Sequence, residues 1–477
     1  MRTAISIHPE SATPLHRQIC EAWRAGILSG RFARGEGVPS TRELAKALGV
    51  SRSTVTLAYE QLVAEGYLES AQGSGTFVCQ ELPDELLRAA SRTTAPAGPP
   101  ATIRLSRMAA RLRHDFSRPS ARQNFIDLSR WGPDLQQFPF QIWRKLLGRH
   151  LRSGPAAQFD YASDCAGQAP LREAIAAYLT HCRAVQCTAE QVIILSGSQQ
   201  ALDLCTRLLL DPGDEVAMED PGYLGARWTL QAYGAKLKAV ALDAEGIKVS
   251  ELGSKARLVY VTPSHQFPTG VAMSLARRLA LLQWARRNRS VIVEDDYDSE
   301  YRYRGPPLPS LQGLANGAAV IYCGTFSKVM FPGLRLGYAV LPASLLPAFS
   351  RAKWLADRNC PPLEQSALTD FLTEGHLERH IRRMRRLYAQ RREVLVDSLQ
   401  RCFGGQVVIN GEPAGMHLPV QFTDPTMQHR AQRNGVQLSS MAPYWLAQHA
   451  HASKDFLLGF SCIDARTILE GVRRLSR

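Results

Sequence analysis

Lys328 stands in GTFSKVMFPGLRLGY, with Thr325 and Ser327 ahead of it and Pro332, Gly333, Arg335 and Gly337 behind. A lysine in such a turn is either a solvated surface amine or a nucleophile that condenses with an aldehyde. Two other stretches bear on the choice. Glu294-Asp295-Asp296-Tyr297-Asp298 follows the apolar Val291-Ile292-Val293, and acids crowded at the end of a buried strand repel one another unless a cation or proton donor compensates. The compensator is either a metal ion or a protonated ring nitrogen. No histidine lies among these acids and supporting metal ligands are missing. Gly197-Ser198-Gln199 follows Val192-Ile193-Ile194-Leu195 and is either a plain strand-to-helix cap or a phosphate site made of helix N-terminal amides. Aldehyde, ring nitrogen and phosphate are the three handles of pyridoxal 5′-phosphate. Lys328 would take the aldehyde, Asp295 the ring N–H⁺, and Gly197, Ser198, Gln199, Ser327 and Arg335 the phosphate; no metal is expected.

The elements that must position these groups are short apolar runs, VIIL, RLVYVTP, SVIVEDDY, AAVIYCGTFSK and RLGYAVLP, several followed by helical segments. This is the pattern of an α/β domain with a mostly parallel sheet, whose functional residues gather at strand carboxyl ends. It is expected over residues 125–477. A tether is expected over 80–124, where Pro and Ala are frequent and eight arginines face four acids.

Residues 1–79 read differently. Leu15, Ile19, Trp23 and Ile27 form one apolar stripe on a first helix ending near Gly30. Ser40 and Glu43 make a capping box for a second helix with Leu44, Ala45 and Leu48 inward. After the Gly49 turn, Ser51 caps a third helix that buries Val55, Ala58, Tyr59 and Leu62. Two short helices joined by a glycine turn form a helix-turn-helix, and the second opens with Ser51, Arg52, Ser53 and Thr54, suited to base edges and phosphates. Arg42 on the preceding helix is placed for the DNA backbone. YLESAQGSGTFV then predicts a two-stranded hairpin around Gln72-Gly73-Ser74-Gly75, a wing.

With 477 residues the chain is expected to hold two or three domains, and 45% apolar with 21% charged residues is a globular composition. A net charge of +14 makes an anionic partner plausible. The first eighty residues carry eight basic side chains against seven acids, so DNA binding there must rest on a few placed arginines rather than bulk charge. Ten scattered cysteines without CxxC spacing read as reduced thiols, mostly filling core. No signal-peptide pattern or eighteen-residue apolar window is found, and the expected location is cytoplasmic, off the membrane.

PSTRELA, GVSRSTV, EGYL and GSGTFV, in this order across residues 12–79, resemble the winged helix-turn-helix of the GntR superfamily of bacterial repressors. From residue 125 onward the chain resembles a fold-type-I aminotransferase, in LSRWGPDLQQFPFQIWRKLL, FDYASDCAGQAPLREAIAAYL, EDPGYLGAR, TPSHQFPTG, VEDDYDSEYRY and GTFSKVMFPGLRLGY. Together they resemble the MocR (PdxR-like) family of transcriptional regulators. The resemblance implies that Lys328 forms the Schiff base with the cofactor, Asp295 holds its ring nitrogen, Tyr297 lies near its phenolic oxygen, Arg335 binds its phosphate and Tyr223 stacks on its ring. It also implies that Tyr161 reaches the phosphate of a neighbouring subunit in a head-to-tail homodimer, and that Gly132 and Asp134 lie near the pocket. Two positions depart from the family. Phe267 stands where aminotransferases carry an asparagine, so His265 or Tyr297 would take over its contact, unless His265 is a packed loop histidine. Leu457, in FLLGF, stands where they carry the arginine that clamps a substrate carboxylate. The implied function is a regulator that binds double-stranded operator DNA and senses an amino acid, an amine or the cofactor itself. The alternative is an active aminotransferase with an accessory DNA-binding head.

Overall fold

The computed structural model describes residues 5–71, 75–83, 103–112, 124–161, 164–305, 308–447 and 453–477. Backbone contacts divide the chain into two compact units, 1–104 and 105–477.

The first unit is built from α1 (Leu15–Leu28), β1 (Gly37–Val38), α2 (Thr41–Leu48), α3 (Arg52–Ala64), β2 (Leu68–Ala71) and β3 (Gly75–Val78). The stripe on α1 buries Ile19, Trp23 and Ile27, while Leu15 and Leu48 are only half-buried at their helix ends. Trp23 packs on Phe32 (4.3 Å between ring centroids) and edge-on to Tyr59 (6.1 Å). The capping box of α2 closes both ways, Glu43 N–H to Ser40 Oγ at 3.3 Å and Ser40 N–H to Glu43 Oε2 at 3.0 Å. Gly49 ends α2 at φ +69°, a left-handed turn that costs a residue without Cβ nothing. The hairpin pairs antiparallel, Leu68 opposite Val78, and β1 adds a third strand against β3 that the sequence reading did not anticipate. Two residues, Gly37 and Val38, are too few to show an alternating pattern. Gln72, Gly73 and Ser74, at the expected wing tip, lie outside the described residues, as does most of the expected tether.

In the second unit an eight-stranded sheet runs in the order β5 (Val192–Leu195), β12 (Gly337–Val340), β11 (Val320–Thr325), β10 (Val291–Asp296), β9 (Leu258–Val261), β6 (Glu215–Asp220), β7 (Lys236–Asp243), β8 (Gly246–Ile247). The strands β11, β10, β9, β6 and β7 are parallel, and β12 runs against both its neighbours. Both faces are covered. Val192 and Ile194 enter one core and Ile193 and Leu195 another, so a parallel-type strand reads as an unbroken apolar run. A smaller sheet, β13 (Val407–Ile409), β14 (His417–Phe422), β17 (Asp455–Gly459) and β16 (Ser439–Ser440), lies further along the chain, and β4 (Ile126–Asp127) pairs with β15 (Val436–Gln437). Within the expected tether, the short helix Arg107–Arg111 belongs to this unit and packs on the helix Leu224–Tyr233, Arg111 Nη1 reaching the Ala232 carbonyl at 3.5 Å.

Candidate cofactor site and nucleic-acid interface

The site assembles where β5, β6, β9, β10 and β11 end. The three acids that end β10 and Asp298 just beyond it each find a different answer to burial, and the answers separate their roles. Glu294 accepts amides from Leu311 (2.8 Å) and Gln312 (2.9 Å). Asp296 pairs with Arg183 Nε at 2.8 Å, and Tyr322 and Ser299 hydroxyls donate to it. Asp298 lies 3.2 Å from His265 Nδ1. Asp295, on the opposite face of the strand, accepts the Tyr260 hydroxyl through Oδ2 at 2.7 Å, while its buried Oδ1 has no hydrogen-bond partner. Burial pushes the Asp295 carboxyl up to about 6, against the Tyr260 hydrogen bond, which lowers it, and the Lys328 charge also favours ionisation. An unsatisfied buried acceptor of this kind fits a ring N–H⁺.

Lys328 follows the end of β11, half-buried, its Nζ 4.1 Å from the centroid of the Trp131 ring. Ser327 N–H is bonded to Thr325 Oγ1 at 3.1 Å, which tightens the turn presenting it. The candidate phosphate cradle is equally defined. Gly197 stands at φ +123°, and a Cβ built there would lie 3.6 Å from Arg335 Nη2, so the guanidinium faces the glycine directly. Hydrogen bonding in the helix Ser198–Leu209 begins with Gln200 N–H to the Gly197 carbonyl at 3.2 Å, which leaves the Ser198 and Gln199 amides ahead of the first turn. The Gln199 side chain turns away to Thr229 Oγ1 at 2.5 Å, so only its backbone serves an anion. The donor set fits pyridoxal 5′-phosphate at each of its three handles.

Tyr223 opens the helix Leu224–Tyr233 and meets Phe267 edge-on at 5.9 Å. His265 is buried, 3.0 Å from the Tyr297 hydroxyl, so the two residues that could stand in for the missing asparagine are coupled to each other and to Asp298. Gly132 is held by Ser461, and Asp134 by a buried pair with Arg391 at 2.9 Å. Tyr161 does not join this group: it is 76% exposed, under the Arg358 guanidinium at 5.1 Å. Trp131, Tyr260 and His417 were missed in the sequence. Trp131 immediately precedes Gly132, which was singled out, and Tyr260 lies in an apolar strand whose register brings it beside Val293, two residues before Asp295.

In the first unit, Ser51 accepts the Thr54 amide at 3.2 Å and shares its hydroxyl with Ser53 (2.8 Å) and Thr54 (2.7 Å). Ser51 thus caps α3. Arg42, Arg52 and Ser53 are exposed at one end of the helix pair, Arg52 Nε lying 3.3 Å from Thr41 Oγ1, and Gly75 is exposed at φ +110° on the wing.

Residues 15–78 match the family of bacterial regulatory proteins of gntR type, and residues 133–449 match aminotransferase class I and II. The "Probable rhizopine catabolism regulatory protein MocR" of Rhizobium meliloti is 41% identical over 98% of this chain and 94% of its own length. The chain belongs to the MocR-type GntR regulators. The "HTH-type pyridoxine biosynthesis transcriptional regulator PdxR" of Corynebacterium glutamicum is 30% identical across 97% of this MocR-type chain and 96% of its own. Among solved structures, LysN, an alpha-aminoadipate aminotransferase of Thermus thermophilus complexed with N-(5'-phosphopyridoxyl)-L-leucine, superposes with TM-score 0.71 at 30% identity over 78% of this chain and 96% of that one. This MocR-type protein is therefore a DNA-binding transcriptional regulator with a pyridoxal-phosphate domain of aminotransferase fold.

Proposed function

We propose that the regulator reads a primary amine at Lys328 and converts its presence into a change in operator binding. The observation that carries this is the orphaned Asp295 Oδ1, buried in the same site as an amine that is itself held over an indole face. When bound, the cofactor supplies an aldehyde that a lysine or a free amine can occupy in turn, and a cationic heterocycle that holds it. The chain's own parts do the rest: Asp295 keeps a proton at the ring nitrogen, the Gly197–Arg335 cradle fixes the phosphate end, and Trp131 steadies the lysine ammonium. Residues 80–124 act as the tether, its short helix Arg107–Arg111 seated on the sensing unit, with the DNA-binding domain in 1–79 and the sensing domain in 125–477. The protein works in the cytoplasm as a head-to-tail homodimer, a reading supported by Tyr161, which is exposed and shares a cavity wall with the exposed Trp354 and Leu355. Among the described residues no helix is long and apolar enough to cross a membrane.

Lys328→Ala is expected to abolish the visible absorbance of covalently held coenzyme and the amine response of operator binding, while basal operator binding persists. Retention of both the visible band and the response would overturn the assignment. The second reading, an active aminotransferase, draws on the likeness to LysN. Multiple turnovers of an amine to a carbonyl product, matched by amination of a keto acid, would favour it. Leu457, in place of the carboxylate-clamping arginine, weighs against it for α-amino acids.

A further inference from the structure

All but one unit of the +14 net charge lies beyond residue 80. The phosphate attraction that supplies most non-specific DNA binding therefore does not come from bulk charge in the domain that reads sequence. In the second unit the helix His376–Phe403 concentrates positive charge on its surface. Arg379, Arg382, Arg383 and Arg386 recur at the spacing of one helical face, and all four are exposed, along about 11 Å of helix. Further along the same face the sign reverses at Glu393 and Asp397, also exposed, which bounds the basic patch.

Three of these guanidiniums pair with no acid among the described residues. Arg379 Nη2 donates to the Glu374 carbonyl at 2.9 Å, Arg383 donates to the Gln137 carbonyl, and the Arg386 side chain makes neither a hydrogen bond nor an ion pair. Arg382 meets Glu378 Oε1 at 2.5 Å, with both partners exposed. Such a pair contributes little in water, and a phosphate can take the place of the carboxylate. The nearby acids Asp370 and Glu374 are occupied by Arg149, His150 and His376. Guanidinium forks suit phosphate oxygens, and the two that are already held by backbone carbonyls lose less freedom when a strand docks.

The buried face of this helix reaches the cofactor site. His380 meets the Val329 backbone, next to Lys328, while the Tyr388 hydroxyl accepts the Asp134 amide at 2.8 Å and Arg391 pairs with the Asp134 carboxylate at 2.9 Å. One element thus carries the arginines on its outer side and touches the lysine turn on its inner side.

We propose that the arginine face of the helix His376–Phe403 is a second DNA contact, through which the sensing unit itself grips the phosphate backbone of duplex DNA without regard to sequence. This goes beyond the amine-reading function and stands independently of it.

The test compares the coenzyme-loaded full chain with its Arg382→Gln/Arg386→Gln variant, which leaves in place the two arginines that hold backbone groups. Binding is read by fluorescence anisotropy on a random-sequence duplex and on one from the protein's own upstream region, over a series of potassium chloride concentrations. On random DNA the variant is expected to bind roughly fivefold more weakly at ~0.1 M salt, with the slope of log K against log salt reduced in magnitude by about 2, one phosphate per arginine. The upstream duplex should show a loss of the same size, because the contact carries no base information. Glu393→Gln/Asp397→Asn changes the net charge equally outside the patch and is expected to leave both slopes as they are. An unchanged visible band and melting temperature confirm that each variant is folded. A wild-type slope on random DNA in the arginine variant overturns the proposal, and if its sedimentation changes while that slope stays, the face belongs to a second copy of the chain. Equal and opposite shifts from the two variants would reduce the effect to net charge and overturn it as well. A wild type whose operator binding ignores every amine would overturn the function above and leave this contact standing.

Discussion

Glu219 and Asp295 are buried carboxylic acids near the carboxyl ends of β6 and β10. Glu219 Oε2 accepts from Thr262 N–H at 3.1 Å, Thr262 Oγ1 at 2.8 Å and Gln266 at 3.2 Å, while Oε1 has no partner. Burial pushes Glu219 up to about 7, despite those hydrogen bonds, with the Asp295 charge adding to the rise. Asp295 rises to about 6, and buried Glu294 and half-buried Glu300 rise to about 7. Each therefore holds its proton more tightly folded than unfolded, where carboxyls titrate near ~4. The stability they contribute is complete below that value and is lost as pH climbs through about 7. The melting temperature of the coenzyme-free protein is expected to fall from pH 5 to pH 8, and Glu219→Gln to remove part of the slope, by on the order of 1 kcal/mol of differential stability. A slope unchanged in that variant would show that Glu219 ionises freely. Coenzyme should flatten the dependence further, because a ring cation keeps Asp295 ionised across the range.

In the proposed assignment, cofactor affinity depends most directly on the strand-to-helix turn at Gly197. Gly197 at φ +123° lets the helix Ser198–Leu209 start with its amides aimed at the space before Arg335, which itself sits in a left-handed turn at φ +52°. Gly337, in β12, packs so closely that a Cβ there would lie 2.9 Å from the Gly197 Cα. The cradle is thus clamped between β5 and β12, where a shift of either strand would move it. Gly197→Ala is expected to cost about 1 kcal/mol of stability from the left-handed backbone. Its larger effect should fall on the cofactor, whose dissociation constant should rise at least tenfold because the N–H groups and guanidinium no longer converge. Equilibrium dialysis of pyridoxal 5′-phosphate alongside thermal denaturation separates the two effects; equal loss in both would make the glycine purely structural.

At the scale of the whole molecule, a net charge of +14 is carried by a chain whose first eighty residues are close to neutral. Specific DNA recognition then depends on a few exposed arginines at the helix-turn-helix. Arg52→Ala is expected to weaken operator binding and to reduce the magnitude of the slope of log K against log salt by about 1, the loss of one phosphate contact. Filter binding at several salt concentrations reads that slope. An unchanged slope with weaker binding would reassign Arg52 to a base edge, and no change in either would remove it from the interface. Coenzyme loading should be untouched, because Arg52 contributes nothing to the second unit's cradle.

Periodicity and caps were local enough to be legible in the chain by itself. The α1 stripe, the Ser40–Glu43 box, the Gly49 turn and the apolar strands each depend on neighbours a few residues away, and the placement of Gly197, Asp295 and Lys328 at three strand ends carried the cofactor with them. Which of four adjacent acids faces the ring was not legible, because that follows from Arg183, His265 and the loop amides of Leu311 and Gln312, all brought in from distant segments. The role of Trp131 was hidden for the same reason: a ring's meaning depends on what it packs against, and only the fold of the second unit brought its indole under the lysine and against His417 of the small sheet.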